Sequence, residues 1–545
     1  MKVCIVGGVA GGATAAARLR RLNEKAQIIM FERGEYISFA NCGLPYHISG
    51  AIEEREALLL QTPASFHGRY LVDVRTQHEV TAINKERKTL TVKKLSGGEL
   101  YEESYDYLIL SPGAYPFVPP MELATGAQYF TLRDIPDLDR IMQRLTTSGV
   151  SSALVIGGGF IGIEVAENLI ERGLETHLVE LSPQVLAPLD QDMANILHRK
   201  MRDKGIKLHL GDAVAKLTPD SAEMKSGAKI PCGICIAAVG VKPDAKLAAE
   251  AGLTVGATGG IVVDETMRTS DPAIFAVGDA VEIQNPVTGM SGLIALAGPA
   301  NRQARIAADN IAGLDSRYHG TQGTGIVKVF DLTAAFTGIT EKAAKKMQLA
   351  YEAIHLHPFH HATYYPKAQQ MHLKVIFEKG TGRLLGAQAV GRAGVDKRID
   401  VLATALRANM RITDLENLEL CYAPPFGSAK DAVNMAGFIG SNIMKGITRS
   451  VTYDRLDELG NYLVLNVCHP EEWDPAVPPI PQSTTIPLPQ LRTRLGELPR
   501  DRPLVISCYA GLRGHIACRI LMQSGFDNVY NLSGGYLTYL DYMGY

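Results

Sequence analysis

The sequence predicts an α/β chain of four domains: two Rossmann-like three-layer nucleotide-binding domains, an α+β domain and a C-terminal α/β domain. Three observations predict it. A glycine-rich turn joins an apolar strand to an Ala-rich helix at residues 2–22, the same pattern returns complete at 153–172, and a strand near the C-terminus runs into Cys508 and a further helix.

In the first unit, residues 2–6 form a short apolar strand, Gly7, Gly8, Gly11 and Gly12 punctuate the turn, and Ala13–Leu22 continue as a helix. Such a turn lets backbone approach a pyrophosphate, and the helix N-terminus offers N–H donors and a positive dipole end. Val9 stands where the fingerprint has its second glycine, so this loop is degenerate. Its partner is Glu32, 25 positions after Gly7 at the end of the next strand, where a carboxylate would bond the ribose hydroxyls of an adenine dinucleotide. In the second unit Gly157, Gly159 and Gly162 complete G-x-G-x-x-G between strand 153–156 and helix 163–172, and Glu180 ends the strand that follows. Two dinucleotides are therefore expected. Glu180 would accept from a free 2′-OH and repel a 2′-phosphate, which favours NADH over NADPH.

About ten residues past Glu32 lies Cys42, in Ser38-Phe39-Ala40-Asn41-Cys42-Gly43, where a flavin would be. A thiol beside a flavin points to sulfur redox chemistry, provided that its pKa is lowered or its thiolate stabilised. Small neighbours would let backbone N–H groups approach the sulfur. Segments 106–113, with Gly113 in a Ser-Pro-Gly turn, and 234–243 read as crossings between the nucleotide domains. Residues 269–280 form a strand ending in Gly278-Asp279, where the aspartate can accept from a flavin ribitol hydroxyl.

Together these motifs resemble the two-dinucleotide flavoprotein disulfide reductases. Members of that family usually carry a C-x-x-x-x-C pair after the first nucleotide unit, and here His47 stands in place of the second thiol. A lone cysteine in Ser-Phe-Ala-Asn-Cys is similar to the coenzyme A disulfide reductase branch, in which the substrate supplies the missing thiol. The resemblance implies FAD, NADH and coenzyme A as cofactors, a homodimer, and Tyr364 and Tyr422 of the dimerisation domain reaching the cysteine of the partner subunit. Thr14, Arg18 and Arg21 fall at i, i+4 and i+7 on one face of the first helix. The resemblance puts the phosphates of coenzyme A along that face, with Ser38, Asn41, Asn301 and Lys430 at further substrate-contact positions.

From residue 321 the pattern changes to alternating strands and then helix 397–408, which resembles the dimerisation domain. After the linker 446–450 a strand at 504–507 opens into Cys508-Tyr509-Ala510-Gly511-Leu512-Arg513-Gly514. A cysteine there lies in a ring of N–H groups at a helix N-terminus, suited to a thiolate or persulfide anion, with Arg513 adding charge. The segment resembles a rhodanese domain. Where that family has L-D-V-R this chain has Leu465-Asn466-Val467-Cys468, so the usual internal charge pair is missing. The expected boundaries are 1–113 with 244–320 for FAD, 114–243 for NAD, 321–445 for dimerisation and 450–545 for the rhodanese domain.

The 545 residues, 46% hydrophobic and 21% charged, have room for three or four domains, and a net charge of -2 argues against a general nucleic-acid surface. No apolar run approaches the ~18–20 residues of a membrane helix, and the N-terminal apolar residues read as a strand rather than a leader. The eight cysteines are scattered, so a reducing, cytoplasmic setting is expected. Cys232 and Cys235 form one CxxC that no second pair completes, and no metal set is expected.

The reading is an NADH- and FAD-dependent reductase of coenzyme A disulfide, coenzyme A persulfide or polysulfide. Cys42 is its single redox cysteine and Cys508 its sulfur carrier. Two other classes share the scaffold: a peroxidase or oxidase cycling Cys42 through sulfenic acid, and a non-enzymatic flavin redox sensor.

Overall fold

The computed structural model describes residues 1–146, 149–472 and 478–545. The chain divides into two compact units, residues 1–181 with 209–321, and residues 182–208 with 322–545.

The first unit is built on a five-stranded parallel sheet in the order Ile274–Ala276, Tyr107–Leu110, Lys2–Val6, Gln27–Glu32, Asp73–Thr76. Apart from the edge strand Asp73–Thr76 its strands are apolar and buried, sharing one core with the helices Ala10–Leu22 and Ala297–Ile311 and with the antiparallel strands at 78–104. The helix Ala10–Leu22 packs against Ala297–Ile311 through alanines that let the two backbones come close. A second set of parallel strands places Ser152–Ile156 between Glu175–Glu180 and Ile234–Ala237, with the helix Phe160–Glu171 following its first turn. Both predicted turns thus join a central strand to a helix. The sequence reading did not resolve the antiparallel hairpins at 78–104, whose strands are half exposed and lack a strong apolar alternation.

In the second unit an antiparallel sheet runs Gly325–Val329, Leu332–Gly338, Leu384–Gly391, Met371–Glu378, Tyr351–Leu356, with the helix Val395–Arg407 laid on it. A parallel five-stranded sheet follows, in the order Ser450–Val451, Val529–Leu532, Leu504–Ser507, Leu463–Asn466, Ser483–Thr485. Among the described residues no helix is long and apolar enough to cross a membrane.

Candidate active site

Both glycine turns have the same construction. Gly7 has φ +96°, and a Cβ there would stand 2.0 Å from the Ser111 carbonyl oxygen. Gly157 has φ +107°, with the Ala238 carbonyl oxygen 2.5 Å from the corresponding point. A side chain at Gly12 would strike the Gly7 oxygen at 1.8 Å, and one at Gly162 the Gly157 oxygen at 1.9 Å, so strand and helix can close only over glycine. Gly8 N–H donates to Glu32 Oε2 at 2.9 Å, and Gly158 N–H to Glu180 Oε2 at 2.7 Å, which fixes each carboxylate beside its turn. The helices that follow have no side-chain cap, and the space over Gly159 is open within 4 Å. Uncapped N–H donors, a bare glycine and an adjacent carboxylate fit the pyrophosphate and ribose of a dinucleotide at each turn.

The strand end that follows the first turn carries the remaining expected cofactor residues. Gly113 has φ +73° and Gly278 φ +83°, and Gly278 N–H donates to Gln303 Oε1 at 2.8 Å. Asp279 is largely buried, and that burial raises its carboxyl above the usual range against the opposing charge of Arg133.

Cys42 sits in a short 3-10 turn, Asn41–Gly43, that leads into the helix Leu44–Ser49. The loop before it is tied to the first glycine turn by Ser38 N–H, which donates to the Gly8 carbonyl at 2.9 Å, and Ser38 itself adopts φ +46°. Asn41 Nδ2 donates to the Arg133 carbonyl at 3.2 Å. The helix behind Cys42 docks on the helix Phe160–Glu171: Tyr46 Oη donates to Glu164 Oε1 at 3.0 Å, and Arg172 Nη1 to the Ile48 carbonyl at 2.8 Å. Burial raises the Glu164 carboxyl above its usual range, against the Tyr46 bond that lowers it.

The surroundings of Cys42 raise its pKa rather than lower it. The residue is exposed, yet partial burial of its sulfur, followed by the carboxylates of Glu164 and Asp279, pushes the thiol up. Tyr46 and Glu164 were missed in the sequence. Tyr46 was findable, four residues after Cys42 and so on the same side of the turn; Glu164 lies 122 positions away, and only the docking of the two helices brings it near.

The proposed coenzyme A face is partly assembled. Thr14 Oγ1 bonds Asn301 Oδ1, which joins two expected contact residues from different helices. Arg18, however, is committed to an ion pair with Asp309 at 2.7 Å, and Asp309 also accepts from Ser316 at 3.0 Å. Arg21 remains exposed. The free cationic side chain of that face is therefore Arg21, and Arg18 first serves to join two helices.

In the second unit Tyr364 and Tyr422 are exposed, with their hydroxyls 2.8 Å apart. Their loops are held by Arg398, buried in an ion pair with Asp431 at 2.6 Å and donating through Nη2 to the His360 carbonyl at 2.9 Å. Asp431 also caps the helix Ala432–Met444. Lys430 is exposed one residue before that cap, and Cys421 one residue before Tyr422.

Cys508 ends the strand Leu504–Ser507, and Gly511 N–H donates to its sulfur at 3.1 Å. Gly511, with φ +101°, starts the helix Leu512–Gln523 without a side-chain cap, so the dipole end faces the loop. Cys508 is buried while its loop neighbours Tyr509 and Leu512 are exposed, and a Cβ on Gly535 would stand 2.1 Å from the Cys508 carbonyl oxygen. Arg513 is not free: it forms a bidentate pair with Glu472 at 2.6 and 2.7 Å, which draws the Glu472 carboxyl down to about 2. The pair lies at the surface, each side chain about a third exposed (33% and 34%). Cys468 lies in the same core cluster as Cys508, and burial pushes its thiol up to about 11, against Arg513 and with Cys508 and Glu472.

Two dinucleotide turns, a cysteine loop bonded to the first of them and a second cysteine in a loop at a helix N-terminus define a flavoprotein reductase with a further cysteine-bearing α/β domain. The chain belongs to the pyridine nucleotide-disulphide oxidoreductase family. That family's model matches residues 1–304, the model of its dimerisation domain 324–433, and a rhodanese-like domain 451–541. Coenzyme A disulfide reductase of Staphylococcus aureus (strain JH9) is 38% identical over 438 residues, 80% of this chain and 99% of that protein. The structure of reduced Bacillus anthracis CoADR-RHD is similar with a TM-score of 0.97 and 48% identity, over 99% of this chain and 98% of that one. A NAD-dependent persulfide reductase from A. fulgidus is similar with a TM-score of 0.92 and 37% identity, over 99% of this chain and 100% of that one.

Proposed function

We propose that this protein reduces coenzyme A disulfide and coenzyme A persulfide with electrons from NADH, using Cys42 as its redox cysteine and Cys508 as a sulfur carrier. The observation that carries this reading is the Cys42 turn, tied to the first dinucleotide loop through Ser38 and Gly8 and standing beside the raised carboxyl of Glu164. Bound FAD and NADH supply a pair of electrons as hydride.

The chain's own residues do the sulfur chemistry. The Cys42 thiolate attacks the coenzyme A sulfur of a persulfide, forming a Cys42–coenzyme A mixed disulfide and releasing hydrosulfide, or coenzyme A thiolate when the substrate is the disulfide. Two electrons then cleave the mixed disulfide to Cys42 thiolate and coenzyme A. Each thiol that leaves needs a proton, and Glu164, oriented by the Tyr46 hydroxyl, is the carboxyl positioned near Cys42 to relay it. Thr14, Asn301 and Arg21 line the face offered to the coenzyme, with Ser38, Asn41 and Lys430 as further contacts. Tyr364 and Tyr422 form a phenol pair that, in a homodimer, would meet the partner's thiol.

Glu180 sets the nucleotide. A carboxylate about 4 Å from a 2′-phosphate costs on the order of 1–4 kcal/mol between the dielectrics of water and of a protein surface, which is about fivefold or more in discrimination. The ratio of kcat/KM for NADH to NADPH is expected to exceed about five. A ratio of one or less would show that Glu180 does not face the ribose.

The rhodanese module is tested by Cys508→Ser, assayed anaerobically. This variant is expected to lose turnover that begins from polysulfide or thiosulfate and to keep reduction of preformed coenzyme A disulfide within about twofold, since that step needs only Cys42 and the flavin. Equal loss of both activities would contradict the division of labour.

A further inference from the structure

One face of the dimerisation sheet is polar where burial would ordinarily select apolar residues. His355 on Tyr351–Leu356 pairs in register with Lys374 on Met371–Glu378. His357 and His372 follow one step along, with rings 4.7 Å apart and nearly perpendicular. The helix Gln191–Asp203 and the last helix of the rhodanese domain, Gly535–Met543, supply the partners of this face.

At one end the cationic side chains meet carboxylates, although His355 Nδ1, like His357 Nδ1, is buried without a hydrogen-bond partner. His355 Nε2 lies 2.6 Å from Asp192 Oδ2, and Lys374 Nζ reaches Asp192 at 3.1 Å, Asp190 at 3.2 Å and Glu341 at 2.8 Å. The other end is different. His372 Nδ1 is 2.6 Å from Asp541 Oδ2, while Asp541 Oδ1 accepts from Arg199 Nη2 at 3.1 Å. His357 Nε2 is 2.8 Å from Thr538 Oγ1, and its Nδ1 is buried with no hydrogen-bond partner in a side chain only 8% exposed. One nitrogen from each of His357 and His372 and one oxygen of Asp541 all lie within 4.8 Å of one another.

We propose that His357, His372 and Asp541 bind a divalent transition-metal cation of the zinc class, which clamps the last helix of the rhodanese domain to the dimerisation sheet. Two imidazoles and a carboxylate are a donor set suited to zinc, with water in the fourth position. The outer partners are already in place: Thr538 bonds one nitrogen of His357, and Arg199 bonds the second oxygen of Asp541. Such contacts orient ligands and leave the facing lone pairs to the metal. Bonds of about 2.0–2.2 Å in a tetrahedral site put the ligand atoms roughly 3.3 Å apart, so His372 Nδ1 and Asp541 Oδ2, 2.6 Å from one another, part slightly to admit the cation. His372 is half-buried and gives the cation a way in.

The test uses the full chain, stripped with a chelator and titrated with Zn²⁺ and with Co²⁺. One equivalent of zinc per chain is expected by elemental analysis, with a raised unfolding temperature and a Co²⁺ spectrum of nitrogen and oxygen ligation. His372→Gln and, separately, His357→Gln should weaken that equivalent at least tenfold. Cys508→Ser and the double variant Cys232→Ser, Cys235→Ser should keep it. An equivalent retained in both histidine variants, absent from the unaltered chain, or accompanied by sulfur-to-cobalt charge transfer would overturn the proposal.

Discussion

Cys42→Ser is expected to hold FAD, to be reduced by NADH as before, and to lose reduction of coenzyme A disulfide and persulfide by on the order of a thousandfold or more. The turn Asn41–Gly43 is held by backbone contacts, with Gly43 N–H donating to the Ala40 carbonyl at 2.9 Å and Ala40 N–H to Leu58 at 2.8 Å, so removing the sulfur leaves the loop in place. The dinucleotide turns depend on Gly7, Gly12, Gly157 and Gly162, none of which the substitution touches. Serine can accept a hydrogen bond but cannot form the mixed disulfide. Anaerobic stopped-flow spectroscopy separates the two halves, reading flavin reduction by NADH first and its reoxidation by substrate second. Reoxidation at an unaltered rate would mean that another group takes the electrons.

Lys374→Met is expected to destabilise the second unit by about 3–5 kcal/mol at neutral pH, because it leaves buried carboxylates without their cation. Lys374 is fully buried among Asp190, Asp192 and Glu341, and these carboxylates raise its pKa well above the usual range in spite of burial. Burial alone would raise the Asp192 carboxyl, but Lys374 and His355 outweigh it and hold the group well below its usual 3.8. A carboxyl depressed in the folded state contributes stability above its unfolded pKa and loses it as the pH falls. The native protein should therefore lose stability below about pH 4. In the variant the carboxylates take up protons at higher pH, so the difference between the two proteins should shrink on acidification. Urea unfolding across that range reads both effects, and a difference below about 1 kcal/mol at neutral pH would contradict the account.

The dinucleotide units were legible because their signal is local. Gly157, Gly159, Gly162 and Glu180 all lie within one strand, turn, helix and strand, and Gly157 and Gly162 answer steric demands that no other residue meets. Cys508 was legible for the same reason, since strand, loop and helix are consecutive. What escaped depends on long-range docking. Glu164 reaches the Cys42 neighbourhood only when two helices pack, and Glu472 engages Arg513 from 41 residues away. Helical spacing put Arg18 with Thr14 and Arg21 correctly on one face, but spacing cannot show that Asp309, 291 positions on, already engages it. The sequence likewise shows Cys42 among small neighbours without revealing the two carboxylates that hold its thiol up.

The measurement that bears most directly on the role of Cys42 is peptide mass spectrometry of the protein after anaerobic exposure to coenzyme A disulfide without NADH. A coenzyme A adduct on the peptide carrying Cys42, released as coenzyme A when NADH is added, is the predicted result. Full turnover with no adduct at Cys42, or an NADH-reversible adduct confined to Cys421 or Cys508, would contradict it.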